Sequence, residues 1–293
     1  MSAERRPLTV LYRGPLSSCN FDCPYCPFAK RRESRAERGT DRDALARFLR
    51  WAGEGEFQPL SVFFTPWGEA MVRSWYRDAV VELSRMPHVR RVAVQTNLSG
   101  PMTWIDECVP ERVGIWATWH PAEMPLERFS ARVGRLRERG ISVSAGIVGT
   151  VAHREAADRL RAALPDIYVW VNAVKRDPEA MALGWEEVDP LFGWNAQAWP
   201  SLGRVCRTGN EVVTVDGVGD VRRCHFVPDV IGNLYDRSLA TALSPRPCPN
   251  ATCGCHIGYV HLKELALERV FGDGILERVR APLHQTDSSF SQH

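Results

Sequence analysis

The chain has 293 residues, 44% of them hydrophobic and 25% charged, and a net charge of only +2. That is enough chain for one large domain with a smaller appendage, and the near-neutral charge excludes the basic field of a nucleic-acid binder. No apolar run approaches the roughly 18–20 residues of a membrane span. The N-terminus, Met1-Ser2-Ala3-Glu4-Arg5-Arg6, lacks an apolar signal core, so no membrane partner and a cytoplasmic location are expected. In that reducing compartment nine cysteines argue for metal ligation rather than disulfides. They come in groups: Cys19, Cys23, Cys26; then Cys206, Cys224; then Cys248, Cys253, Cys255. Cys108 stands alone and reads as a small buried apolar residue.

In chain order, Leu8-Thr9-Val10-Leu11-Tyr12 is an apolar run that predicts a buried strand. The segment Cys19-Asn20-Phe21-Asp22-Cys23-Pro24-Tyr25-Cys26 follows it directly, so the thiols occupy the loop at the strand's carboxyl end, where α/β folds place their chemistry. Lys30-Arg31-Arg32, with Arg35 and Arg38, reads as a solvated segment or as a docking patch for an acidic electron donor. A helix is predicted from Asp41 to Gly55, capped by Thr40 or Asp41. The alternation continues with strands over Leu60–Thr65, His88–Thr96, Val113–Thr118, Ile141–Val148 and Ile167–Val174. Between them come helices over Val72–Met86, near Trp104–Cys108, over Leu126–Arg139 and over Glu155–Leu164. Six such units call for a parallel sheet with right-handed crossovers, too few for a closed eight-stranded barrel.

Residues 176–203 break the alternation and read as a connector whose Trp185, Trp194 and Trp199 pack locally or wall a cavity. Val212–Val215 and Val221–Phe226 flank an Asp216-Gly217 turn as a hairpin, which draws Cys206 and Cys224 together. A closing helix over about Tyr259–Phe271 and a polar, disordered tail complete the prediction.

Three thiols in eight residues leave a 4Fe–4S cluster with one open iron, whereas a structural zinc wants four closed ligands. The C-x3-C-x-aromatic-C spacing, with Tyr25 as the aromatic, resembles the signature of the radical S-adenosylmethionine (SAM) superfamily. The resemblance implies a partial (β/α)6 TIM-like barrel, with SAM chelating the open iron and a 5′-deoxyadenosyl radical abstracting hydrogen from substrate. It also implies contacts to SAM from Tyr25, from Trp67-Gly68-Glu69 after the second strand, from Thr96, Asn97 and Ser99 after the third, and from Val171 and Asn172 at the sixth. The Trp67 position departs from the family's G-G-E run. His120, ending the fourth strand, is a candidate proton acceptor.

The spacing Cys206-x12-Gly219-x4-Cys224 and the Ile231-Gly232-Asn233-Leu234 run resemble the twitch domain of that superfamily. This implies a small C-terminal hairpin-and-helix domain holding an auxiliary 4Fe–4S cluster on Cys206, Cys224 and two of Cys248, Cys253 and Cys255, with Cys248 plus one of the other two preferred. A zinc site on the same ligands is the competing reading. The implied divisions are residues 1–175 for the barrel, 176–203 for the connector, 204–258 for the twitch-like domain and 259–293 for the closing helix and tail. The expected substrate is a small molecule (a sugar, nucleoside or aminocyclitol), since about seven residues precede the first strand. A ribosomally made peptide is the alternative, a flavodoxin or ferredoxin is the expected electron donor, and a zinc-bound non-enzymatic module is the rival of another class.

Overall fold

Strand runs that are apolar on both faces belong in a parallel sheet covered on both sides, and here six of them pair in chain order. A computed structural model of the protein describes residues 6–28, 31–236 and 238–281. The strands β1 (Leu8–Arg13), β2 (Leu60–Phe64), β3 (Val89–Thr96), β4 (Val113–Trp119), β5 (Ser142–Gly149) and β6 (Val169–Ala173) are parallel neighbours in that order. The helices α1 (Arg35–Gly53), α2 (Ser74–Arg85), α3 (Leu126–Glu138) and α4 (Arg154–Ala163) cross over between strands, and short 3-10 turns serve between β3 and β4. The result is the parallel α/β sheet that the alternation calls for, curved into the partial barrel that the resemblance implies. Along each strand one set of side chains, including Val10, Val62, Val94 and Ile147, packs under the helices. The intervening set, Leu11, Phe63, Ala93, Trp116 and Trp170, fills the interior, as the period of two requires. Trp170 lies so close over Gly146 that a Cβ there would collide with its ring.

The barrel does not close, because β6 ends the sheet on one side. On the other side β1 pairs in parallel with β8 (Val212–Asp216), from Thr9 opposite Val212 to Arg13 opposite Asp216. β9 (Asp220–Cys224) and β10 (Val227–Asn233) continue the same sheet antiparallel. The cysteine-bearing hairpin is thus an extension of the barrel sheet. The connector carries the short helices α5 (Pro178–Met181) and α6 (Phe192–Ala196) and a short strand β7 (Trp199–Pro200), which pairs with β11 (Thr252–Cys253). Its tryptophans pack locally: Trp185 is buried and donates to the Ala180 carbonyl, and Trp194 lies against Trp199.

Three expectations are corrected. Helix α1 begins at Arg35 rather than Asp41, because Ser34 and Glu37 form a capping box there. Thr40 is inside the helix, donating to the Ala36 carbonyl, and Asp41 is buried, accepting from the Leu16 N–H, Trp75 Nε1 and the Tyr76 hydroxyl. The closing helix is broken into α7 (His256–Tyr259), a 3-10 turn at Lys263–Leu265 and α8 (Glu268–Phe271). The backbone of 261–263 leaves the helix to pair with 205–207: Arg207 N–H donates to the His261 carbonyl, Lys263 N–H to the Val205 carbonyl, and Cys206 bridges Leu262. Finally, part of the expected disordered tail is built into the barrel. Leu276 joins the interior cluster, Glu277 accepts from Ser142 Oγ at 2.9 Å and lies 3.5 Å from Arg91, and Arg278 is fully buried between Trp116 and Trp170. These partners stand near the amino ends of β3–β5, so the segment stoppers that end of the barrel. Residues 282–293 of the tail, and Lys30 of the basic segment, lie outside the described residues.

Candidate functional site

The first thiol loop leaves the carboxyl end of β1 and is pinned by buried polar groups before it reaches Cys19. Glu33 accepts from the Ser17 N–H at 2.5 Å and from Ser18 Oγ at 2.8 Å, and Arg73 donates to both Ser18 Oγ and Glu33. Gly68 passes so close that a Cβ on it would lie 2.7 Å from the Ser18 carbonyl carbon. The next residue, Glu69, donates its N–H to the Ser18 carbonyl at 3.0 Å. Side chains here cannot be added without moving Cys19.

Glu69 is buried, and its carboxyl accepts from the Met71 N–H, from Thr96 Oγ1 at 2.7 Å and from the Asn97 N–H at 2.6 Å. Burial pushes its pKa up, opposed by these donors. It therefore couples the loop after β2 to the loop after β3. Asn97 Nδ2 in turn reaches Cys19 Sγ at 3.7 Å and Asn20 Oδ1 at 3.4 Å, and Ser99 Oγ donates to Asn20 Oδ1 at 3.1 Å. On the far side of the loop, His120 Nδ1 meets the Tyr25 hydroxyl at 2.7 Å and Cys23 Sγ at 3.2 Å, while Tyr25 packs edge-on against His153. Burial, with His153 adding to it, lowers the His120 pKa to about 4, so the ring is neutral near pH 7. Trp67 is exposed, packs on Phe28 and lies under the Arg13 guanidinium, 4.1 Å from ring centre to the charge.

The structure thus brings Cys19, Cys23, Cys26, Tyr25, Gly68, Glu69, Thr96, Asn97, Ser99 and His120 into one connected group, with Trp67 beside it. The two β6 residues stand apart from it. Val171 is buried on the helix-facing side, its N–H and carbonyl taken by Asp189 and Asn195, and Asn172 accepts from Arg278. Sequence reasoning missed Asn20, Glu33, Arg73, Glu123 and Phe28. Glu123, which accepts from the Asp22 N–H at 3.1 Å, follows His120 by three residues, and only the fold reveals its reach.

The second group surrounds one cavity of about 120 Å³, lined by Cys206, Cys224, Cys248, Cys253 and Cys255 together. Thr208 Oγ1 donates to Cys206 Sγ at 3.2 Å. Burial raises the Cys224 thiol to about 11 and the Cys253 thiol to about 12, partly offset by backbone N–H groups of Phe226 and Cys255 directed at the sulfurs. Cys255 is the most exposed residue of the five, although it too lines the cavity. Burial of its sulfur raises its pKa, while Arg13, Lys175 and Arg278 act in the opposite sense. Cys108, half-buried, caps the Ile105 carbonyl. Among the described residues no three His, Cys, Asp or Glu side chains converge as a single metal ion requires. An iron–sulfur cluster is a larger body, and its thiolates stand further apart than the ligands of one ion. Five soft sulfurs around one compact cavity, with N–H groups pointing at them, are the donor set such a cluster takes.

No family model matches the chain and no curated protein matches it in sequence. Solved structures do match its fold. anSMEcpe with bound AdoMet superposes with a TM-score of 0.55 at 13% identity, covering 82% of this chain and 81% of that one. The complex of anSMEcpe with AdoMet and the Kp18Cys peptide gives 0.55 at 12%, over 82% and 81%. SuiB of Streptococcus suis gives 0.52 at 12%, over 82% of this chain and 66% of that one. At these identities the likeness establishes the partial-barrel fold. Among the described residues no helix is long and apolar enough to cross a membrane.

Proposed function

We propose that this chain is a radical SAM enzyme in which Cys19, Cys23 and Cys26 hold one 4Fe–4S cluster and four of the five cavity thiols hold a second. The observation that carries the reading is the presence of two separate sulfur sites on one partial-barrel sheet, three thiols in the β1 loop and five about a single cavity beside the β8–β9 hairpin. When bound, the first cluster would supply the electron that cleaves SAM for hydrogen abstraction from substrate, and the second would accept the electron left behind or engage the substrate.

The chain's own part is positioning. Glu69 spends its carboxyl on holding the β2 and β3 loops together, so the free main chain around Gly68 and the polar edges of Asn97 and Ser99 are left to take the amine, carboxylate and ribose of SAM. Tyr25 and His120 brace Cys23 from behind, and Tyr25 is the candidate for the adenine side. His120, neutral and already engaged through Nδ1, serves the loop before it serves as a base. Arg32, Arg35 and Arg38 are exposed beside this loop, and the latter two sit in the first turns of α1, where the helix dipole disfavours cations. That placement suits docking of an acidic flavodoxin or ferredoxin in the cytoplasm.

A small-molecule substrate, such as a sugar, nucleoside or aminocyclitol, undergoing net oxidation or sulfur chemistry is the primary reading. The fold likeness to anSMEcpe in complex with a peptide favours a ribosomal peptide as the second. Anaerobically purified protein should be brown with about eight irons per chain, as two four-iron clusters require. Colourless protein carrying zinc would establish the non-enzymatic zinc module instead. Cys23→Ala should abolish reductive SAM cleavage, and Cys224→Ala should retain cleavage but lose substrate turnover; equal loss in both variants would refute the division of labour.

A further inference from the structure

Cations stand about the second sulfur site without a carboxylate to neutralise them: Arg223 in the cavity lining is committed to the Pro247 and Arg246 carbonyls. Two more, Lys175 and Arg13, come from the barrel side. Lys175, just past β6, donates from Nζ to the Gln197 carbonyl and, at 2.6 Å, to the carbonyl of Gly254, the residue between Cys253 and Cys255. Arg13, the last residue of β1, faces the interior two positions after Leu11. Its Nε donates to the Thr65 carbonyl at 2.9 Å and its guanidinium lies on Trp67. Among the described residues neither cation has an acidic side chain within ion-pair distance, whereas Arg207 and Arg222 of the same region are each paired to one. Asp216, opposite Arg13 in the β1–β8 register, is taken by Arg222. Lys175 thus brings a lone positive charge to the backbone between two of the cavity cysteines, while Arg13 is turned to Trp67 beside the first site.

We infer that Lys175 is a positioning residue for the second cluster, holding its reduction potential high so that it is the electron acceptor of the pair. The inference rests on the reading of the cavity as a cluster site. A cluster bound by thiolates is anionic and becomes more so when it takes up an electron. A nearby fixed cation therefore stabilises the reduced state more than the oxidised one, and net charge around a cluster is among the terms that set its potential. The hydrogen bond from Lys175 to Gly254 also fixes the backbone between two of the candidate ligands, so the charge is held at a constant distance.

The test is a reductive titration of the anaerobic, iron-loaded protein, followed by electron paramagnetic resonance so that the two clusters report separately. Lys175→Gln should lower the midpoint of the second cluster, and the first cluster should move less. Lys175→Arg keeps the charge and should stay near the wild-type midpoint; Lys175→Met is the second charge-removing variant should Lys175→Gln fail to take up iron. Unchanged midpoints in the charge-removing variants at full iron content would overturn the inference, as would equal shifts in Lys175→Gln and Lys175→Arg. Wild-type protein showing no second iron–sulfur signal would instead overturn the cluster reading itself, an outcome distinct from either of these.

Discussion

Gly68→Ala probes the closest approach in the first site. The added Cβ would lie 2.7 Å from the Ser18 carbonyl carbon and 2.8 Å from its nitrogen, and nearer still to its oxygen. Carbon contacts become comfortable only at about 3.5 Å, so one of the two backbones must retreat by about 0.8 Å or more. Neither is free to do so. Ser18 is tied to Glu33 and Arg73, and Glu69 is tied to Ser18, Thr96 and Asn97. Overpacking together with loss of the Glu69–Ser18 hydrogen bond should cost roughly 2–4 kcal/mol. Because Cys19 is the next residue along, the displacement is delivered to the thiol. The expected result is protein that has lost about four of its irons, retains the second cluster, and unfolds at lower urea concentration. Full iron content with stability within about 0.5 kcal/mol of wild type, the range of an inert surface change, would refute the argument.

Cys255→Ser should retain about eight irons whereas Cys224→Ser should fall to about four, because the cavity offers one thiol more than a cluster needs and Cys255 is the most exposed residue of the five; iron analysis of the two variants decides it. Gly146→Ala should destabilise the barrel by about 1–3 kcal/mol in urea unfolding, since its Cβ meets the Trp170 ring, which is held in place by its Nε1 bond to Ser144 Oγ at 3.0 Å. His261 is fully buried with its pKa lowered to about 3 by burial and then by Arg207. A depressed histidine stabilises the fold above its unfolded pKa near 6.5, and that contribution drains away as pH falls towards the folded value. Between pH 6.5, where the unfolded histidine is half protonated, and pH 5 the loss should be about 1.6 kcal/mol, so His261→Leu should lose less stability than wild type over that interval in denaturation curves.

The six parallel strands were legible because burial on both faces writes them as unbroken apolar runs such as Leu60–Phe64, with turn residues at each end. The thiol loop was legible from spacing alone. The start of α1 was also written in the sequence, as Ser34 followed by Glu37, but the surrounding arginines read as a solvated stretch. What stayed hidden depends on partners distant in the chain. Nothing local in Tyr259–Phe271 announces that its middle will be drawn off to pair with 205–207. Nothing around Leu276–Arg278 announces that it fills the barrel interior, since its partners Arg91, Ser142 and Trp170 lie more than a hundred residues away. In the site, Glu69 was legible as a position but not as a brace, because its carboxyl is spoken for by Thr96 and Asn97 only once β2 and β3 are adjacent.

The ladder between β1 and β8 has a mechanical corollary. Both sulfur sites branch from the two strands it joins, five residue pairs in register from Thr9–Val212 to Arg13–Asp216. Widening the gap between them would mean peeling one strand from its neighbour in the middle of a nine-stranded sheet. Electron hopping falls off steeply with distance, so were both sites to hold the proposed clusters, a spacing clamped in this way would give the path between them a fixed resistance.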